Sequence, residues 1–411
     1  MEIPIRYGKD EVINLKLDQK NLLGIFNPNQ VEKKDEETLI KEALAHPVQQ
    51  KSFDDFIAGD DPLVIIVNDG TRPTPTAKIL KEIYPKIRDR KKTFIIATGW
   101  HRVGNLEEYH MIFSKEIYEE IAAKDELHNH DAKNDPMTYL GASANGTEMY
   151  LNSIVAEAKK VVVIGSVEPH YFAGYTGGRK AFLPGVAKYE TIEQNHKLAL
   201  SHKAQALALE GNPVHEDMID AMKVFSIQTV LDSEHGVYFV SCGDLFASFD
   251  RCVEKADEVF CVTIPKKADI VISVAPYPMD VDLYQAQKAL DNGKLALAQD
   301  GILIMVAKCR TGIGPKPFFK LMASAPTGEE VLKKIDQEFH LGYHKAAKMA
   351  EISLWAQTWA VSDLSDEDMK AVHLKPYHDL QKALDEALAE KGPDASVVIL
   401  PFGSMSVPKE A

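Results

Sequence analysis

Cysteine is scarce in this chain of 411 residues: four are present, Cys242, Cys252, Cys261 and Cys309, and no two stand in a C-x-x-C pair. That scatter argues against a zinc knuckle and a disulfide framework, and predicts four buried, reduced thiols. Long apolar runs are missing too. No stretch approaches the roughly 18 apolar residues that a membrane-crossing helix needs, and the opening Met1-Glu-Ile-Pro-Ile-Arg-Tyr7 lacks the charged-then-apolar pattern of a signal peptide. A cytoplasmic protein with no membrane partner is the expectation. Positive charge is in deficit: 47 Lys and Arg stand against 61 Asp and Glu, for a formal net charge of −14. Without a cationic face a chain cannot neutralise phosphates, so no nucleic acid partner is expected. Two nucleotide signatures are also absent. The G-x-x-x-x-G-K-[ST] spacing cannot be laid over residues 174–181, and no G-x-G-x-x-G follows a strand-like run with an acidic residue about 20 positions on, which weakens an ordinary nicotinamide dehydrogenase.

What is present is a globular composition, 45 % hydrophobic and 26 % charged, in a chain too long for one ordinary core, so two domains are expected. Apolar, β-branched runs at 62–68, 93–98, 160–165, 236–241, 269–275 and 301–307 predict strands. Apolar residues at helical spacing predict helices over 75–91, 114–124, 190–209 and 215–225. The alternation gives an α/β fold class: two α/β domains with mostly parallel sheets. Val262-Thr-Ile-Pro-Lys-Lys-Ala-Asp269 reads as the crossing between them. It puts a larger cofactor-binding domain at 1–265 and a smaller domain at 266–411 that contributes substrate residues, with the active site in the interdomain cleft.

The richest stretch is Glu168-Pro-His-Tyr-Phe-Ala-Gly-Tyr-Thr-Gly-Gly-Arg-Lys-Ala-Phe-Leu-Pro-Gly-Val186, which joins His170, a Gly-Gly turn, an Arg-Lys pair and a Pro-Gly stop. Asp69 to Pro75, Gly99 to Arg102 and Glu168 to Lys180 each begin as a strand-like run ends, and a parallel sheet brings such positions to one edge. Turn residues alone explain Asp, Gly and Pro there, but not the repeated His, Arg and Lys. Lys180 follows Arg179 and two glycines, so its ammonium is expected beside another cation, which lowers a lysine pKa and frees the amine as a nucleophile. An anion-binding loop, in which Arg179 and Lys180 hold a phosphate, stays open on the residues alone.

This stretch resembles that of the nickel-pincer lactate racemase family, with its E-P-H, G-G-R-K and L-P-G blocks and a following Asn195-His196 pair. The likeness extends to Asn68-Asp-Gly-Thr-Arg-Pro-Thr-Pro75, Gly99-Trp-His-Arg102, Gly211-Asn-Pro-Val-His215 and Tyr284-Gln-Ala-Gln-Lys288, in order along much of the chain. The resemblance implies a racemase or epimerase of a 2-hydroxy acid, lactate first. Its implied cofactors are nickel and pyridinium-3-thioamide-5-thiocarboxylic acid mononucleotide, the nickel-pincer nucleotide, attached covalently at Lys180. By the same resemblance His196 is the protein ligand to nickel, a metal that imidazole suits. His101 and His170 are the acid/base pair, since a racemase accepts either hand and needs bases on both sides of a common anchor. One takes the hydroxyl proton while hydride leaves C2 for the pyridinium. Arg72 and Lys288 are the implied clamp on the substrate carboxylate, and Tyr284 and Gln285 position substrate or cofactor. Asp69 either orients a histidine or bonds the cofactor ribose. Thr71, Gly177 and Gly178 are candidates for the cofactor phosphate, through hydroxyl and backbone amides, and Arg179 is a further cofactor-binding residue. Implied partners are the small-molecule acid and the enzymes that mature the cofactor.

Trp100, Val103-Gly104 and Ala275-Pro276 depart from the family pattern near the expected substrate pocket. They leave open a larger acid, whether malate, aromatic or sugar-derived; malate calls for a further cation, for which Arg102 is the nearby choice. A non-catalytic carrier of the cofactor is the rival, against which two histidines argue. Three other features are discounted. His128-Asn-His130-Asp131 reads as an exposed loop, not a metal tract; His215 is expected on backbone or at the domain interface; and Trp355 and Trp359, four apart in a helical pattern, are expected to place one ring in the core and leave the other for the pocket wall.

Overall fold

The computed structural model describes residues 1–124, 126–218 and 224–411. The chain forms two α/β units, one of Gln30–Val259 and one of Met1–Asn29 with Phe260–Ala411. Each is built on a six-stranded, mainly parallel sheet with helices in the connections, as the alternation predicts. Leu63–Asn68 and Lys160–Ser166 are buried almost along their whole length, which suits β-branched runs inside a covered parallel sheet. The helix Thr76–Ile87 turns Ile79, Leu80, Ile83 and Ile87 to one side, and these join Ile65, Val67, Phe94 and Ile96 in a single core.

Across the Gln30–Val259 sheet the strands run Val237–Gly243, Val224–Leu231, Lys160–Ser166, Leu63–Asn68, Lys92–Ala97, Leu127–Asn129, with only the first pair antiparallel. The chain proceeds outward from Leu63–Asn68 to Leu127–Asn129 and then returns on the opposite side with Lys160–Ser166. This reversal marks a switch point, and the crevice beyond the carboxyl ends of the strands there is where open α/β sheets take ligands. The other sheet is parallel throughout, in the order Lys375–Tyr377, Gln357–Val361, Leu297–Val306, Ala268–Val274, Val397–Leu400, Leu22–Ile25.

The expected domains, 1–265 and 266–411, need correction. Leu22–Ile25 pairs with Val397–Leu400, and the hairpin of Glu2–Tyr7 and Glu11–Lys16 buries Ile3, Ile5 and Leu15 in the core of the second sheet. Met1–Asn29 therefore belongs with the carboxy-terminal unit, which resumes at Phe260. The helix expected over 190–209 stops at Lys197, where one 3₁₀ turn, Leu198–Leu200, ends it. Of the helix expected over 215–225, residues 219–223 lie outside the described residues; helix Pro213–Glu216 begins earlier, and Val224 already belongs to a strand. Trp359 is in the strand Gln357–Val361, 1 % exposed and stacked on Tyr377 at 5.1 Å, not on a helix with Trp355. Three cysteines are buried as expected, while Cys261 is half-buried. Among the described residues no helix is long and apolar enough to cross a membrane.

The His-Asn-His-Asp run is not an exposed loop. Leu127–Asn129 is the edge strand, and His130 is buried, its Nε2 3.0 Å from the Ala187 carbonyl and its Nδ1 3.2 Å from Asn152 Nδ2. Asp135 Oδ2 gathers His128 Nε2 at 2.7 Å and Asn152 Nδ2 at 2.6 Å, and lies 3.6 Å from His130 Nδ1. Burial lowers the His130 pKa, against the opposing pull of the Ala187 carbonyl and Asp135. A folded pKa below the unfolded value means that the unfolded chain takes the proton first on acidification. Stability from this group is full above the unfolded value of about 6.5 and falls as the pH drops below it. Thermal melts from about pH 7.5 to about pH 5.5 should therefore show a steeper loss in the parent than in His130→Gln; equal slopes would remove His130 from the acid response.

Candidate active site

Asp69 is the first residue past the strand Leu63–Asn68 and is buried. Its Oδ1 accepts the Thr71 hydroxyl at 2.6 Å and the Thr71 N–H at 3.3 Å, which closes the loop into an Asx turn. Its Oδ2 lies 2.7 Å from Nδ1 of His101, on the loop after Lys92–Ala97. Burial alone would raise the Asp69 pKa, but His101, Thr71 and Arg72 outweigh it and hold the carboxyl below its ordinary value. An ionised carboxylate only accepts, so His101 Nδ1 donates, and in the neutral imidazole Nε2 keeps its lone pair. Of the two roles open for Asp69, the geometry provides the orientation of a histidine. Gly99, at φ +57, opens the same loop and donates its N–H to the Gly185 carbonyl at 2.9 Å, tying it to the end of the Glu168–Val186 stretch.

In that stretch Pro169–His170 pairs antiparallel with Gly174–Tyr175, a tight hairpin with Tyr171, Phe172 and Ala173 at its turn. His170 is buried, and its Nδ1 accepts the Ala173 N–H at 3.3 Å. The Phe172 ring is a meeting point. It lies edge-on to His170 at 4.6 Å and to His196 at 5.3 Å, and the Lys180 ammonium is 5.6 Å from its centre. Sequence reasoning missed Phe172, because an aromatic ring carries no reactive group; its place between His170 and Lys180 was the only signal. His196 sits in the last turn of the helix Tyr189–Lys197. Burial, with the charge of the Lys180 ammonium adding to it, pushes its pKa down to about 3, so the imidazole is neutral.

Arg179 and Lys180 part company. They occupy the 3₁₀ turn Gly178–Ala181, where successive side chains point about 120° apart. Lys180 goes to Phe172, whereas Arg179 lies over Phe249 at 4.1 Å and donates from Nη2 to His215 Nδ1. Arg179 is 1 % exposed, and burial brings its pKa down to about 9. The Gly178 N–H donates to Gln228 Oε1 at 2.9 Å, and a Cβ on Gly177 would stand 2.8 Å from the Ser166 carbonyl, so the turn is pressed onto the strand ends. Of the expected cofactor contacts, the Gly178 amide hydrogen is already engaged by Gln228 and the Arg179 guanidinium is buried. His215, expected on backbone or at a domain interface, accepts from the Arg179 side chain. Thr71 stays exposed and Lys180 half-buried, so both keep access to a ligand.

Arg72 Nη1 stands 3.7 Å from Glu168 Oε1, with both side chains about a quarter exposed. Arg102 is forked to Glu108 at 2.9 and 2.7 Å. Tyr284, Gln285 and Lys288 lie in the other unit. Tyr284 is buried, its ring edge-on to Phe318 at 5.4 Å with the Lys345 ammonium 3.9 Å from its centre. Gln285 and Lys288 are half-buried; the Gln285 N–H donates to Asp282 Oδ1 at 2.7 Å. Burial raises the Asp282 pKa, and the charges of Lys345 and Lys288 oppose the rise. Among the described residues no three His, Cys, Asp or Glu side chains converge as a metal cage.

Residues 7–208 match the lactate racemase N-terminal domain, and residues 263–407 match the lactate racemase C-terminal domain. The lactate racemase of Thermoanaerobacterium thermosaccharolyticum is 31 % identical over 428 aligned positions, covering 99 % of each chain. That of Lactiplantibacillus plantarum is 30 % identical over 424 positions, covering 98 % of each. The solved structure of the lactate racemase apoprotein from T. thermosaccharolyticum matches with a TM-score of 0.91 at 30 % identity, over 100 % of both chains. A Thermotoga maritima protein at 16 % identity shares the fold alone, with a TM-score of 0.67 over 93 % of this chain and 100 % of its own. With both halves matched in order and whole-length relatives at this identity, the chain belongs to the lactate racemase family, a family of isomerases.

Proposed function

We propose that this chain racemises a 2-hydroxy acid, lactate first, with a nickel-pincer nucleotide held covalently by Lys180 and through its nickel by His196. The observation that carries this reading is the convergence of His170, His196 and Lys180 on the Phe172 ring. The residues fit the group. A neutral, buried imidazole is the form that binds a metal, and the Lys180 amine shares its aromatic neighbour. Because His196 is one donor, the nucleotide must bring the others. When bound, the nucleotide supplies a reversible hydride acceptor for substrate C2.

The side chains handle the proton and the anchor. His101 Nε2, with its lone pair free, takes the substrate hydroxyl proton, and Asp69 steadies the imidazolium that results. His170 accepts at Nδ1, so its neutral ring carries hydrogen on Nε2 and serves as the opposite partner. Arg72 offers its fork to the substrate carboxylate, with Lys288 as the second cation of the family pattern. Arg102, the cation a second carboxylate would need, is already forked to Glu108, which favours a monocarboxylate such as lactate over malate. A mere carrier has no use for a carboxylate-oriented histidine.

Holoprotein made alongside the cofactor-maturation enzymes should convert L-lactate to the D form on a chiral column. C2-deuterated lactate should keep its label; loss of the label to solvent would instead mean proton abstraction at C2. His101→Ala and His170→Ala should each lower kcat by about 100- to 10,000-fold with nucleotide and nickel content unchanged, and Asp69→Asn should fall by about 10-fold or more. Lys180→Ala should lose the nucleotide adduct in the intact mass, and His196→Ala the nickel. Full turnover and full loading in those two variants would sink the assignment.

A further inference from the structure

We infer that residues 212–217 form a positioning clamp that holds, through directional hydrogen bonds, the three segments carrying His170, Lys180 and His196. In each of the three segments one bonded residue, Phe172, Arg179 or Asn195, stands one or two places from a working residue. Asn212, fully buried, donates from Nδ2 to the Phe172 carbonyl at 2.8 Å and to the Ala208 carbonyl at 3.0 Å. Its Oδ1 accepts the Val214 N–H at 3.1 Å, which starts the one-turn helix Pro213–Glu216. His215 then accepts from Arg179, the residue before Lys180. Finally Asn195, the residue before His196, donates from Nδ2 to the Val214 carbonyl at 3.2 Å and to Asp217 Oδ2 at 3.1 Å, while Asp217 Oδ1 takes the Ser143 hydroxyl. One short segment thus reaches the hairpin, the 3₁₀ turn and the helix together.

The chemistry of the contacts makes them selective. Arginine has donors only, so His215 must present a bare Nδ1. Burial and the Arg179 charge push the His215 pKa down to about 4, which keeps that nitrogen unprotonated near neutrality. Asn195, Asn212 and Asp217 are fully buried and Arg179 nearly so. A buried polar group that loses its partner forfeits its hydrogen bond without regaining water, so each contact resists sliding. Apolar packing would tolerate a shift in register; these contacts do not. The backbone adapts to them as well: Gly174, at φ +76, lies so close to the Ala208 carbonyl that a Cβ there would stand 2.1 Å away.

The clamp rests on the reading of Lys180 and His196 as working residues, and the test separates the two ideas. His215→Leu removes the acceptor, whereas His215→Asn restores an oxygen near the position of Nδ1. In the full-length apoprotein, trace acetylation with acetic anhydride across pH, read at the Lys180 peptide by mass spectrometry, reports the surroundings of that amine. His215→Leu should move the Lys180 titration profile and lower kcat of the holoprotein by about 10- to 100-fold with KM little changed. His215→Asn should recover both. Asp217→Asn, which keeps shape but loses one acceptor, should lower nickel retention and leave the Lys180 profile in place. A parental Lys180 profile and parental kcat in His215→Leu would overturn the clamp, as would a His215→Asn variant that melts like the parent yet fails like His215→Leu. If parent holoprotein racemises no 2-hydroxy acid, the activity reading fails while the Lys180 profiles still decide the clamp.

Discussion

Everything at the candidate site depends on Leu63–Asn68, Lys92–Ala97 and Lys160–Ser166 being parallel neighbours. Strands that run the same way release their following loops at the same edge, so residues far apart in sequence start from adjacent points. Asp69 needs no long reach to meet His101 at 2.7 Å, because each stands just past the end of one of two paired strands. The third loop carries the Glu168–Val186 stretch back over the sheet edge, where the Gly99–Gly185 backbone bond fastens it to the second. A hydrophobic pattern that buries strands on both faces is thus also what gathers the polar groups.

This explains which parts were legible. Strand ends can be read, because β-branched runs stop where Asp, Gly and Glu-Pro begin, and the three loops were placed at one edge from that pattern alone. The direction of a side chain in a tight turn cannot. Arg179 and Lys180 adjoin in sequence but diverge in a 3₁₀ turn, so the expected pair of neighbouring cations became one cation over Phe249 and another over Phe172. Partners from elsewhere were equally hidden. His130 sits in a polar run, and Asn152, Ala187 and Asp135, from elsewhere in the chain, make its burial tolerable. Leu22–Ile25 is a short strand whose partner lies at the other end of the chain, so no window of sequence could assign it to the carboxy-terminal sheet.

Burying Arg179 has an electrostatic side. A guanidinium removed from water loses much of its solvation, here offset by the Phe249 face and by His215 as acceptor. His215 can serve only while neutral, and burial together with the same buried cation keeps it so. The arrangement therefore reinforces itself: the cation holds the acceptor in the form that holds the cation. A lysine in place of Arg179 would keep the charge but lose the planar fork that stacks on Phe249 and aims Nη2 at the ring nitrogen.

The two histidines are held by unlike partners, His101 by a carboxylate and His170 by a backbone N–H. In the proposed reaction that asymmetry meets a thermodynamic limit. Enantiomers have equal free energy in water, so the equilibrium constant is one and kcat/KM must be the same for both hands, whatever the site looks like. Asp69 stabilises the imidazolium of His101 in both directions of travel: it makes His101 the better base for one enantiomer and a weaker acid when the other is consumed. What it can change is how the common kcat/KM divides into kcat and KM. Unequal values of each with an equal ratio are the expected signature of opposed bases anchored by a charge on one side and a dipole on the other.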